Sequence, residues 1–237
     1  MRVAVMFSGG KDSTFAVHWA YLHGFEVAIL LSVLPVRGDS WMFHRPMVVY
    51  TELQAEAMGF RHMLVRVSGV KEREVEELAR VLRVVRDEFG VEGIVLGALL
   101  SDYQRMRVAL VSEELGLKMF VPQWGVNQAE YMRMLARCGF EILVVSVTAY
   151  GIPLDLVGKV LSVDDVEMLI RLSRIHGFNP AFEGGEAETF VVDAPLFRKR
   201  VCVEGEVVRV SSFEAYLRPG KVWLEEKRLE HRSPQKL

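Results

Sequence analysis

The chain has 237 residues, 51% hydrophobic and 25% charged, with a formal net charge of −2. That balance excludes a disordered or fibrous chain and supplies no basic excess for neutralising a phosphate backbone, so no direct nucleic-acid partner is expected. Cys138 and Cys202 stand far apart with no CxxC or Cys/His grouping, which supports neither a disulfide framework nor a structural zinc site. Every apolar run is interrupted well before the roughly 20 residues that span a bilayer, and the first residues read as a strand instead of a signal peptide. A cytoplasmic location away from membranes is therefore expected, and a homo-oligomer is compatible with all of this.

Residues 2–7 form an apolar strand, and residues 11–23 a helix in which Phe15, Trp19 and Leu22 share a face and Gly24 supplies a left-handed end. A continuous apolar run at 27–33 predicts a strand covered on both faces, followed by a loop at 35–46 and a helix at 51–58 that stops at Gly59. A strand at 63–67 leads to a helix at 72–89, where Val75, Leu78, Leu82, Val85 and Phe89 make one stripe before Gly90. A strand at 93–99, a helix at 101–115 and a strand at 119–121 continue the alternation. Repeated βα order predicts an α/β fold, a Rossmann-like parallel sheet wrapped by helices, with ligands beyond the carboxyl ends of its strands.

After about residue 125 the pattern loosens into a helix at 128–138, a strand at 142–148 and a helix near 164–176 capped by Ser162. A hairpin follows, with strands at 200–203 and 206–210 joined by Glu204-Gly205. The expected organisation is a nucleotide-binding domain over residues 1–125, a smaller α+β substrate-binding domain over 126–223, and a charged tail over 224–237.

Ser8-Gly9-Gly10-Lys11-Asp12-Ser13 lies between the first strand and the first helix, where backbone alone can build an anion site. Gly9 and Gly10 let phosphate oxygens approach main-chain N–H groups, the helix start aims its unpaired N–H groups at the same spot, and Ser8 and Ser13 add hydroxyls. Lys11 brings charge. Asp12 repels phosphate, so its expected use is to hold Mg²⁺ or orient a donor. The spacing is not that of a Walker loop. The residues match the pyrophosphate loop of the adenine-nucleotide α-hydrolase group, a resemblance that implies an ATP pyrophosphatase of HUP type. A plain Gly-Gly turn capped by Asp12 or Ser13 is the alternative.

Two further segments stand out. Glu183-Gly184-Gly185-Glu186-Ala187-Glu188-Thr189 gathers three carboxylates around a flexible turn, which suits a cation, an amine nucleophile or a carboxyl kept protonated; a solvated surface turn reads equally well. Tyr103, Gln104, Arg105 and Arg107 open the fourth helix at the ligand-bearing edge, where the arginines can face an anion or stay solvated. His44 and Trp124 are weaker candidates, since lone residues of these types usually serve packing.

Taken in order, these segments resemble the diphthine–ammonia ligase family over residues 3–203. The match includes the pyrophosphate loop, Ser40-Trp41-Met42-Phe43-His44-Arg45-Pro46, Thr51-Glu52-Leu53-Gln54-Ala55-Glu56, Asp102-Tyr103-Gln104-Arg105, Gly116-Leu117, the acidic loop, and Asp193-Ala194-Pro195-Leu196-Phe197. The sequence departs from the family's pattern at Ala98, usually acidic, at Ala181-Phe182, usually a pair ending in Gly, and at Ala187, usually aromatic.

The resemblance implies ATP-dependent amidation of the diphthine carboxylate on translation elongation factor 2 by ammonia, giving diphthamide, AMP and pyrophosphate through an acyl-adenylate. It gives Lys11, Asp12 and Glu186 catalytic roles and places Ser8, Gly9, Gly10, Lys11, Asp12 and Ser13 on ATP. Mg²⁺ would sit on Asp12. Tyr103, Gln104, Arg107, Glu183, Gly184, Gly185, Glu186, Glu188 and Thr189 would meet substrate. Another pyrophosphate-loop ligase and a non-catalytic ATP sensor remain the other readings.

Overall fold

A computed structural model describes residues 1–35, 45–68 and 73–227. Its first half is a five-stranded parallel sheet in the order β3-β2-β1-β4-β5. The strands are β1 (Arg2–Met6), β2 (Glu26–Pro35), β3 (His62–Val67), β4 (Gly93–Leu96) and β5 (Lys118–Phe120). The helices are α1 (Lys11–Leu22), α2 (Arg45–Val48), α3 (Thr51–Met58), α4 (Glu74–Phe89) and α5 (Asp102–Glu114). Strand order reverses between β1 and β4, so the loops after these two strands part and leave a crevice, the usual ligand site of such sheets.

Side-chain alternation on β1 separates two cores. Ala4 joins Ile29, Leu31 and Ile94 under Leu82 and Val85 of α4 and Val108 and Val111 of α5. Val3 and Val5 face the other way, onto Ala16, Val17 and Ala20 of α1. The α4 stripe faces the core as its period predicts, with Leu82 and Val85 fully inaccessible and Val75, Leu78 and Phe89 partly buried. Of the face expected for α1, Phe15 and Trp19 pack partly buried against the core, but Leu22 does not. Leu22 is 76% exposed, whereas Ala16, Val17 and Ala20 are inaccessible. α1 is covered on more than one side, so small residues make its fully buried contacts, Phe15 and Trp19 add ring contacts, and the last turn projects outward.

The second half adds α6 (Gln128–Arg137), β6 (Glu141–Val147), α7 (Val163–His176), β7 (Ala187–Asp193), β8 (Lys199–Arg209) and β9 (Ala215–Glu226). These strands make a separate antiparallel-paired sheet in the order β7-β6-β9-β8. Ser162 caps α7 in a capping box with Asp165, as expected. The core under α1 runs on into this sheet through Ile142, Val144 and Phe190, so the two halves share one interior.

The hairpin expected at Glu204-Gly205 is absent. Both segments belong to the single strand β8, which pairs with β9 through a register shift at Glu204/Gly205. A β-carbon on Gly205 would lie 2.4 Å from the Arg218 carbonyl oxygen, so this glycine marks a bulge with close strand approach instead of a turn. β9 also continues to Glu226, three residues into the segment expected as a tail. His44, with most of the segment around it, and residues 228–237 lie outside the described residues. No described helix is long and apolar enough to cross a membrane.

Candidate functional site

The phosphate loop begins where β1 ends. Gly9 takes a left-handed backbone with φ +81°, and α1 starts at Lys11 with Gly10 as N-cap and no side-chain cap. The Asp12 or Ser13 cap is therefore excluded, and α1 starts without a capping side chain of its own, the kind of start that binds anions. Ser13 Oγ accepts from the Ser8 N–H at 3.2 Å and donates to the Gly10 carbonyl at 3.2 Å, closing the loop on itself.

The second half of the chain holds this loop from outside. The Gly9 carbonyl accepts from the Val191 N–H of β7 at 3.0 Å and from Gln54 Nε2 at 2.9 Å. Gln54, fully buried on α3, also donates to the Val191 carbonyl at 2.7 Å. Thr189 Oγ1 accepts from the Lys11 N–H at 3.3 Å. From the β4 side, Gly97 comes so close that a β-carbon there would lie 2.5 Å from the Asp12 carbonyl oxygen. In the sequence Gln54 belongs to a segment that stands out only as a motif, and Gly97 carries no signal beyond its residue type.

Lys11 is 3% exposed and donates from Nζ to Asp12 Oδ2 at 2.7 Å. Burial pushes the Asp12 carboxyl above its ordinary value, Lys11 pulls it back, and Glu183 adds to the rise. The Tyr131 phenol from α6 lies beside this carboxylate, and neither the phenol oxygen nor Asp12 Oδ1 makes a hydrogen bond of good geometry. Burial, then the neighbouring Asp12 charge, raises the Tyr131 phenol well above its usual range. A carboxylate with one oxygen on Lys11 and the other beside a phenol, on the one acid of the phosphate loop, fits a Mg²⁺ ligand. Among the described residues no group of three His, Cys, Asp or Glu could hold a metal alone, so phosphate oxygens would complete the shell.

Two cavities open on this loop. One of about 290 Å³ is mainly apolar, lined by Phe7, Leu31, Val33 and Leu96 together with Tyr103, Gln104 and Arg107. The other, of about 300 Å³, is polar and brings together Lys11, Asp12, Phe182, Glu183, Gly185, Glu188 and Thr189. Ser8, Gly97 and Gln104 line both. The phosphate and acidic loops thus share one cavity, while Tyr103 and Arg107 belong to the apolar side and Gln104 to the junction. Trp124 lies outside both linings and carries the Arg105 guanidinium 4.4 Å over its ring.

Inside the acidic loop two carboxylates bind backbone. Glu183 accepts from N–H groups of the β4–α5 bend, and Glu186 from those of Asn179 and Gly184. Phe182 just before them has φ +61°, the one described non-glycine residue with positive φ. Its buried ring sits 5.9 Å from Lys11 Nζ.

Family models described as the diphthamide synthase N-terminal and C-terminal domains match residues 1–119 and 127–222. A human protein named diphthine–ammonia ligase is 33% identical over 96% of this chain and 94% of its own length. A bovine protein of the same name is 34% identical over the same shares. A fission yeast one, Schizosaccharomyces pombe, is 33% identical over 90% of this chain but only 38% of its own length.

Proposed function

From the premise that this chain belongs to the diphthine–ammonia ligase family, we propose that it amidates the diphthine carboxylate of translation elongation factor 2 with ammonia at the expense of ATP. The observation that carries this reading is the pair of cavities meeting at Ser8, Gly97 and Gln104. Adenosine suits the apolar one, with Tyr103 and Arg107 on its wall. The β- and γ-phosphates suit the start of α1, Lys11 and the hydroxyls of Ser8 and Ser13. The α-phosphorus then lies at the junction, within reach of a carboxylate entering the polar cavity.

In the first step a carboxylate oxygen of diphthine attacks the α-phosphorus and the α–β anhydride bond breaks. Pyrophosphate leaves into donors already oriented by the fold, which is the main source of its stabilisation. In the second step ammonia attacks the acyl carbon, AMP departs with the bonding pair, and nitrogen sheds a proton. Asp12 would hold Mg²⁺, which when bound neutralises phosphate charge. The acidic loop, with Glu188 and Thr189 in the polar cavity, concentrates ammonium or the quaternary ammonium of diphthine by its field. Glu183 and Glu186 contribute charge to that field while their oxygens bind backbone, so the loop's shape and its attraction for cations come from the same carboxylates. Residues 1–125 are the nucleotide part and 126–223 the substrate part of this scheme.

The test is AMP release from ATP in Mg²⁺, with and without ammonium, on elongation factor 2 that carries or lacks diphthine. AMP formed only with the diphthine-bearing factor plus ammonium, with the amide found by mass spectrometry, is the expected result. ATP bound but not cleaved under any of these conditions would replace the ligase reading with that of a nucleotide sensor.

A further inference from the structure

Glu183 and Glu186 stand three residues apart and use their carboxylates in different ways. Glu186 spreads its two oxygens, Oε1 accepting from Asn179 N–H at 2.9 Å and Oε2 from Gly184 N–H at 2.8 Å, both inside its own turn. Glu183 reaches across the molecule with one oxygen. Its Oε1 accepts from the backbone N–H groups of Leu99 at 3.3 Å, Leu100 at 3.0 Å and Ser101 at 2.9 Å.

Those three N–H groups form the bend between β4 and α5. Ser101 caps α5 by accepting from the Gln104 N–H, and the next two turns place Tyr103, Gln104 and Arg107 on the wall of the apolar cavity. Just before the bend lies Gly97, pressed against the phosphate loop. A single carboxylate oxygen from the acidic loop therefore fixes the start of the helix that shapes the nucleoside side of the site. Convergent N–H groups at a helix start favour an anion, and hydrogen bonds to a charged acceptor are the stronger kind.

We infer that Glu183 is a positioning residue that straps the acidic loop to the β4–α5 bend, so that nucleotide affinity and the order of the acidic loop are coupled. This rests on the reading that the apolar cavity takes the nucleoside. Coupling of this kind is reciprocal: a filled nucleotide cavity steadies the acidic loop, and a steadied loop tightens the nucleotide. A glutamate whose role was to bind a cation would need its charge; a strap needs chiefly an acceptor oxygen in that place.

The experiment is calorimetric titration of ATP with Mg²⁺ into the full chain as wild type, Glu183→Ala, Glu183→Gln and Glu186→Gln, with amide hydrogen exchange on each. Glu183→Ala should weaken ATP binding about tenfold and speed exchange at residues 99–101. Glu183→Gln keeps an oxygen at the strap and should return affinity to within about threefold of wild type with the amides protected again. Glu186→Gln can satisfy only one of its two N–H donors and should speed exchange at 179 and 184 instead.

ATP binding unchanged in Glu183→Ala, or Glu183→Gln as weak as Glu183→Ala, would overturn the strap. Should Glu183→Ala not fold, the wild type still decides: ATP must slow exchange at residues 183–186, and no change there overturns the coupling. Wild type that binds no ATP sinks the nucleotide reading, and the comparison of exchange at residues 99–101 between wild type and Glu183→Ala still judges the contact.

Discussion

The phosphate loop and the acidic loop line one polar cavity and are built by opposite means. The first is shaped by backbone: a left-handed Gly9, a carbonyl gripped by Val191 and Gln54, and a helix start without a side-chain cap. Its charged side chains take little part in that shape. The second is shaped by side chains, since Glu183 and Glu186 hold backbone N–H groups in place. Two acids that look like ligands in sequence thus act also as struts, and a residue's type in a motif does not by itself give its task.

If the phosphate loop is a backbone device, a methyl group in the wrong place should undo it. Gly97→Ala brings a β-carbon to 2.5–2.7 Å from the Asp12 carbonyl group and the Ser13 nitrogen, main-chain atoms that cannot swing aside. The expected cost is about 3 kcal/mol or more of stability, with ATP binding lost because the start of α1 must shift. Urea unfolding and ATP calorimetry check both. Unchanged stability in Gly97→Ala would mean that this contact is softer than its geometry, and the comparison between the loops would break.

The phosphate loop was legible because its signal is local: strand, two glycines and a helix in consecutive residues. The parallel sheet was legible for the same reason, through strand and helix periods read one element at a time. What stayed hidden depends on distant partners. Gln54 looked like an ordinary helix residue until its amide met Gly9 and a strand 137 residues away. Gly205 looked like a turn because a glycine needed for close strand approach has the same letter as one needed for a positive φ. Nor does any pattern of residue types announce that a carboxylate binds N–H groups instead of a cation.

A histidine ties the two regions together and gives the comparison a pH axis. His18, on the helix behind the phosphate loop, donates from Nδ1 to the Thr14 carbonyl at 2.8 Å and accepts at Nε2 from the Leu196 N–H at 3.1 Å, just beyond β7. The second bond requires the neutral ring. Burial, with the Lys227 charge as a smaller contribution, lowers its pKa from 6.5 to about 4. An unfolded chain takes up this proton first as pH falls. The stability from His18 is therefore complete above about pH 6.5, declines as pH drops through that value, and is lost by about pH 4, below which the folded form protonates too. Between about pH 7 and pH 5 wild type should lose about 2 kcal/mol more than His18→Gln in urea unfolding. Comparing the two cancels His62, whose pKa burial also lowers. Equal losses would show that the joint does not feel the proton.

The smallest effect tests whether the acidic loop has any backbone demand of its own. Phe182 holds φ +61°, and it keeps that conformation while only 5% exposed, with its ring beside Lys11. Left-handed backbone costs a non-glycine residue about 1 kcal/mol, while removing a buried phenyl ring costs about 3–5 kcal/mol. Ring burial outweighs strain, so Phe182→Gly should destabilise despite relieving the backbone. Phe182→Ala loses the same ring and keeps the strain. The glycine variant should therefore be the more stable of the two by about 1 kcal/mol, the reverse of the usual order of alanine and glycine. Alanine equal to or better than glycine in thermal unfolding would mean that the loop relaxes to an ordinary φ once the ring is gone. Its left-handed turn would then be imposed by ring packing, leaving the carboxylates and the Thr148 contacts to Gly185 and Glu186 as the loop's framework.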